Sequence, residues 1–185
     1  MSMLRVTALV TVVSLLSAVP AVAQRANRPR QRVSPHETVS AVIAGNRVTV
    51  TYGRPYSKNP RGTDIRKIWG SLVPYGEAWR LGADEATTIL LKKGIKIGDA
   101  VIPAGAYTLY LIPEENGGKL AFSKTLGGWG VPVDQKNDLV RVDVKKEPLS
   151  PAVDQLGIAI QKADNGGVLK IMWEDSQYVV NFTNE

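Results

Sequence analysis

The stretch Thr38-Val39-Ser40-Ala41-Val42-Ile43-Ala44-Gly45-Asn46-Arg47-Val48-Thr49-Val50-Thr51-Tyr52 sets two β-branched runs on either side of one turn signal. Val48, Val50 and Tyr52 alternate with Thr49 and Thr51, the period-two pattern of a strand with one buried face. Ala44-Gly45-Asn46 supplies a short link, with a glycine to take up the positive φ that a tight hairpin needs. The reading is a β-hairpin whose first strand covers Thr38 to Ile43.

The pattern continues outward. Short, β-branched runs at intervals of roughly ten residues predict strands over Thr87 to Leu91, Ala106 to Ile112, Lys119 to Ser123, Leu139 to Lys145, Leu156 to Lys162, Val168 to Trp173 and Tyr178 to Phe182. Pro103-Ala104-Gly105, Glu114 to Gly118 and Asp164-Asn165-Gly166-Gly167 punctuate them, and the last of these predicts a hairpin. No sustained 3.6-residue stripe competes. The expected fold is all-β: a two-sheet antiparallel β-sandwich, or a barrel-like variant of it, ending in an antiparallel meander.

One segment interrupts this rhythm. Arg54 to Glu85 is a long irregular insert in which Ile65 to Leu72 has room for one or two helical turns. Loops of this length inside a compact domain are uncommon unless they carry function or are disordered. Together with its flanks it gathers Arg54, Arg61, Arg66, Arg80, Tyr52, Tyr56, Trp69, Tyr75 and Trp79. Trp69 and Trp79 predict that the insert folds back and packs.

Ahead of the domain, Arg5, the apolar run Val6 to Val19, Pro20 and Ala21-Val22-Ala23 have the three parts of a secretory signal peptide. The run is about 14 residues, short of the roughly 20 that span a bilayer as a helix, so residues 1–23 read as a cleaved signal and the mature chain as periplasmic or secreted, with no transmembrane segment. Residues 24–33 are expected to form a flexible basic leader and residues 34–185 a single β-sandwich domain.

The chain of 185 residues carries 23 Lys and Arg against 17 Asp and Glu, a net charge of +6. Arg5, Arg25, Arg28, Arg30 and Arg32 all precede the domain, which leaves 18 basic and 17 acidic residues within it. A near-neutral domain argues against nucleic acid as a partner. The absence of cysteine excludes disulfides, thiol chemistry and zinc-thiolate sites.

Ser34-Pro35-His36-Glu37-Thr38-Val39-Ser40, Tyr52-Gly53-Arg54-Pro55, Leu72-Val73-Pro74-Tyr75-Gly76, Trp79-Arg80-Leu81-Gly82-Ala83-Asp84-Glu85-Ala86-Thr87, Pro103-Ala104-Gly105-Ala106-Tyr107 and Trp129-Gly130 follow one another in an order that resembles a bacterial family of unknown function, DUF2911. The resemblance covers nearly the whole mature chain. It implies an exported bacterial protein with one β-rich domain, and it carries no activity with it. Asp84 departs from the asparagine more usual in that family.

His36 is the only histidine, so multi-histidine metal centres are excluded, and the chain has no G-x-S-x-G elbow for a serine triad. The weak catalytic candidates are His36 and Glu85. Asp84 and Glu85 are neighbours, and on an extended segment they would point to opposite faces and not act together. Gly127-Gly128-Trp129-Gly130 lacks the G-K-[ST] ending of a phosphate loop and reads as a turn with a packed tryptophan. Asp134, Asn137 and Asp138 miss the spacing of a calcium loop. No metal or other cofactor is implied.

Arginine forks and aromatic faces are the groups that hold planar anions and sugar rings. The candidate ligand-binding residues are therefore Arg54, Arg80, Tyr52, Tyr75 and Trp79, lining a mouth at one end of the sandwich. The competing structural reading has the tryptophans pin the insert while its arginines bond loop carbonyls. Three functions follow: a binding module for a small anionic or sugar-like ligand, a hydrolase using His36 or a carboxylate among Asp64, Asp84 and Glu85, or an envelope structural or assembly protein that binds other proteins.

Overall fold

The computed structural model describes residues 32–185; the expected signal peptide and residues 24–31 of the basic leader lie outside the described residues. Nine strands follow in order: β1 (His36–Ile43), β2 (Asn46–Gly53), β3 (Thr88–Leu91), β4 (Ile95–Ile97), β5 (Ala100–Ile102), β6 (Gly105–Pro113), β7 (Gly117–Ser123), β8 (Asp138–Ala163) and β9 (Gly166–Asn184). The described residues contain no helix. Every pairing is antiparallel, and hydrogen bonds link the strands into one sheet in the order β1-β2-β3-β6-β7-β8-β9-β4-β5, which does not close. The all-β expectation holds.

The first hairpin forms as its sequence predicts. Ala44 and Gly45 both take positive φ, 46° and 77°, and Val39 pairs with Val50 across the two strands. Alternation buries Val48, Val50 and Tyr52 and leaves Arg47, Thr49 and Thr51 on the other face, half-buried or exposed.

The four late strands of the expected meander are two long ones. β8 runs through Pro148 and Pro151, where prolines read in sequence as a break, and its pairing with β9 shifts register between Pro148 and Val153 and again before Gly157. A proline lacks the N–H that continues a ladder, so the strand bulges and bends there without ending. The second half of β8 then lies over β2: the Ile158 N–H donates to Tyr52 Oη at 2.8 Å. β4 and β5 were not expected. They have three residues each around Gly98, too few to display a period.

Folding the sheet over gives one shared core. Val48, Ile89 and Phe122 from β2, β3 and β7 meet Ile95, Ile97, Leu169, Val180 and Phe182 from β4 and β9 around a void of only about 10 Å³. Full burial of each such side chain stabilises by roughly 1.5–3 kcal/mol, which substitutes for the disulfides that the chain cannot make.

Candidate functional site

Between β2 and β3 the insert crosses from the bend of β8 to the end of β6. The Ser57 N–H donates to the Asp154 carbonyl at 2.7 Å, Gly76 N–H to Pro113 at 2.8 Å, and Trp79 exchanges backbone bonds with Leu111 at 2.8 and 2.9 Å. The expected helical turns in Ile65 to Leu72 do not form. Gly70 at φ 73° and Pro74 interrupt the run, and Trp69 is fixed by donating its indole N–H to the Trp173 carbonyl at 3.0 Å.

The tryptophans do pin the insert. Trp69 is buried edge-on to Trp79, with centroids 5.9 Å apart, and Trp79 stacks on Trp173 at 5.8 Å and 23°. Trp79 itself is only half-buried, and beside it opens a cleft of about 710 Å³. Arg66, Glu77, Arg80 and Gln135 supply its charged and polar lining, and Val131-Pro132-Val133 forms part of its wall.

Both cleft arginines are partly committed to backbone. Arg80 Nη1 donates to the carbonyls of Asp84 at 2.6 Å and Trp129 at 2.9 Å, and its Nε to Gly82 at 3.4 Å. Arg66 donates from Nη2 to Tyr56 at 2.5 Å and from Nε to Ser57 at 3.3 Å. Each keeps one terminal nitrogen without a partner among the described residues. A guanidinium so oriented by carbonyls presents its remaining terminal nitrogen to a second, anionic or hydroxyl partner.

Of the five residues expected to line a mouth, Trp79 and Arg80 line this cleft and three stand elsewhere. Tyr52 is buried, its Oη donating to Glu37 at 2.7 Å and accepting from Ile158; burial pushes its pKa up to about 12. Arg54 donates to the Leu156 carbonyl at 3.0 Å and pairs with Glu37 at 3.1 Å, joining β1, β2 and β8. Tyr75 accepts from Lys146 Nζ at 2.8 Å, and that ammonium lies 5.0 Å from its ring centroid.

Asp84 and Glu85, expected on opposite faces, converge. Asp84 has φ 62°, in the left-handed region, and the resulting turn brings both carboxylates to His36 Nε2, with Glu85 at 3.1 Å and Asp84 at 3.6 Å. Arg32 joins them, one nitrogen bonding Glu85 Oε1 at 2.5 Å and the other lying 2.6 Å from His36 Nε2. The Arg32 hydrogen bond holds the Glu85 carboxyl below the usual carboxylate range. Neither His36 nor Glu85 lines a described cavity. Asp64 lies apart, accepting from Asn59 at 3.1 Å.

Trp129, expected to pack, is 62% exposed, because Gly127, Gly128 and Gly130 at φ 82°, 76° and 64° turn the chain outward around it. Sequence reasoning also missed Trp173, Glu77, Gln135 and the Val131 to Val133 wall. Trp173 sits in an alternating strand that reads as core, and the others carry no pattern that separates them from ordinary loop residues. Arg66 was visible only as one of the insert's arginines.

The fold and site define a class: an all-β protein, cysteine-free, in which an insert between β2 and β3 folds back on a tryptophan cluster and leaves a ligand-sized cleft. The chain belongs to the family described as "Protein of unknown function (DUF2911)", which matches residues 34–182 and so takes in the whole insert and nearly all of β9. Comparison with curated proteins and with solved structures found no match. Among the described residues, no helix is long and apolar enough to cross a membrane.

Proposed function

We propose that this protein is a binding module that holds a small anionic or sugar-like ligand in the cleft beside Trp79. One observation carries the reading: an aromatic face, stiffened by stacking on Trp173, stands next to the oriented guanidinium of Arg80 in a cleft of about 710 Å³. That volume lies within the range of small-molecule sites, and the mixture of flat apolar surface with a few convergent polar groups is their usual composition. The binding reading is preferred to hydrolysis because His36 and Glu85 face each other and Arg32, away from the described cavities. The signal-like segment of residues 1–23 supports action in the periplasm or outside the cell.

The test is a tryptophan-fluorescence titration of residues 24–185 against neutral sugars, acidic sugars and small anionic metabolites, with Trp79→Leu in parallel. A ligand over Trp79 is expected to shift the emission, and the response is expected to vanish in Trp79→Leu while the circular dichroism spectrum is kept. A silent panel, or a response that survives the substitution, would sink the proposal.

A further inference from the structure

A second, smaller cavity of about 240 Å³ adjoins the cleft, and Arg80 and Val131-Pro132-Val133 line both. Its floor is the face of β6 and β7 that carries Thr108, Tyr110 and Ser123, and its roof is the Gly127 to Gly130 loop. Side chains on that face would ordinarily meet water, yet Tyr110 and Ser123 are only about 1% exposed.

Accounting for the hydroxyls separates the occupied from the free. Tyr110 Oη donates to Asp138, while Thr125 Oγ1 donates to Asp134 at 2.9 Å and accepts from Asn137 at 3.1 Å. Ser123 Oγ accepts from the Thr125 N–H at 3.3 Å and has no acceptor for its own proton among the described residues. Thr108 Oγ1 is buried and has no hydrogen-bond partner among the described residues. Buried polar atoms are almost always partnered, so an orphan hydroxyl lining a cavity marks a group that the cavity receives.

Arg80 Nη2, Ser123 Oγ and Thr108 Oγ1 are thus three donors beside one small space. Among the described residues Asp134 is the only acid on its wall; Oδ1 accepts the Lys136 N–H at 2.9 Å and Oδ2 accepts from Thr125 and Asn137, bonds that keep it ionised and commit both oxygens, and its charge stands opposite that of Arg80. From this arrangement we infer that the smaller cavity is a subsite for the carboxylate of an acidic sugar whose ring lies on Trp79 in the larger cleft. The inference rests on the binding reading above and adds the ligand's class and the residues that select it.

The experiment compares glucuronate with glucose on residues 24–185, by calorimetry and by tryptophan fluorescence. Glucuronate is expected to bind about tenfold tighter, the scale of a charge-assisted hydrogen bond. Thr108→Val, which keeps the shape and removes the orphan hydroxyl, and Ser123→Ala are each expected to weaken glucuronate severalfold and leave glucose unchanged. Equal binding of the two sugars by the unaltered protein, or a preference that survives both substitutions, overturns the subsite and leaves the cleft reading standing. Binding of neither sugar overturns the acidic-sugar assignment, and a silent wider panel then removes the cleft reading as well.

Discussion

Arg80 reaches across from the insert to the glycine loop and donates to the Trp129 carbonyl at 2.9 Å, while the same nitrogen holds the Asp84 carbonyl at 2.6 Å. One guanidinium therefore fixes the insert's last turn and the loop that lines the smaller cavity. Arg80→Ala is expected to lower stability by about 2 kcal/mol, the worth of a charged donor lost from its carbonyl acceptors. Arg80→Lys is expected to restore only part of this, since a single ammonium does not reproduce a fork that serves separated carbonyls. Urea denaturation of the three proteins measures both effects, and equal stability of Arg80→Ala and the parent would remove the structural role.

Tyr52 makes stability fall at alkaline pH. Burial raises its pKa from 10.0 to about 12, with the same direction at Tyr110 and Tyr178, where burial is again the largest cause. Above pH 10 the unfolded chain releases these protons while the folded chain retains them. The stabilisation is fully present below the unfolded value and is lost as pH rises through the folded one. Denaturation midpoints are expected to drop steadily from about pH 10 to about pH 12. Tyr52→Phe, which leaves the Ile158 N–H without its acceptor, is expected to cost about 1–3 kcal/mol at neutral pH and to flatten that slope.

Gly53 admits no side chain. A Cβ there would fall 2.1 Å from the carbonyl oxygen of Ala83, and a Cβ at Gly82 would fall 2.9 Å from the Gly53 oxygen. This approach of two backbones positions the turn that carries Asp84 and, through it, Arg80. Gly53→Ala is expected to destabilise by about 1–3 kcal/mol, as overpacking against unyielding backbone does, and to weaken ligand binding together with stability. A variant with the parental melting temperature would show that the insert shifts freely here.

Strand alternation is local, so the hairpin at Ala44-Gly45 and the strands around Ile89, Leu109 and Leu120 were legible from composition and period alone. The bend in β8 was not, because proline signals a break wherever it occurs, and only pairing with β9 carries the strand past Pro148 and Pro151. The insert was legible as a concentration of arginine and tryptophan, while the division of labour within it was hidden. Arg54 and Tyr52 reach Leu156 and Ile158, about 100 residues away along the chain, and no local pattern encodes that meeting. The convergence of Asp84 with Glu85 on His36 depends on one positive φ, which an aspartate permits and does not announce.

Glu77 separates the two ligand chemistries that the cleft allows. It is an exposed lining residue with no hydrogen bond or ion pair among the described residues, so Glu77→Gln is expected to leave stability within about 0.5 kcal/mol of the parent. A carboxylate ligand is repelled by Glu77, and its removal is expected to tighten glucuronate about twofold, the modest scale of exposed charge pairs. A neutral sugar that uses Glu77 as an acceptor for its hydroxyls would instead bind more weakly to the variant, because an amide oxygen is the poorer acceptor. Titrating both sugars at low and high salt completes the test: the gain for glucuronate is expected to shrink as salt screens the charge, whereas a lost hydroxyl contact is indifferent to it.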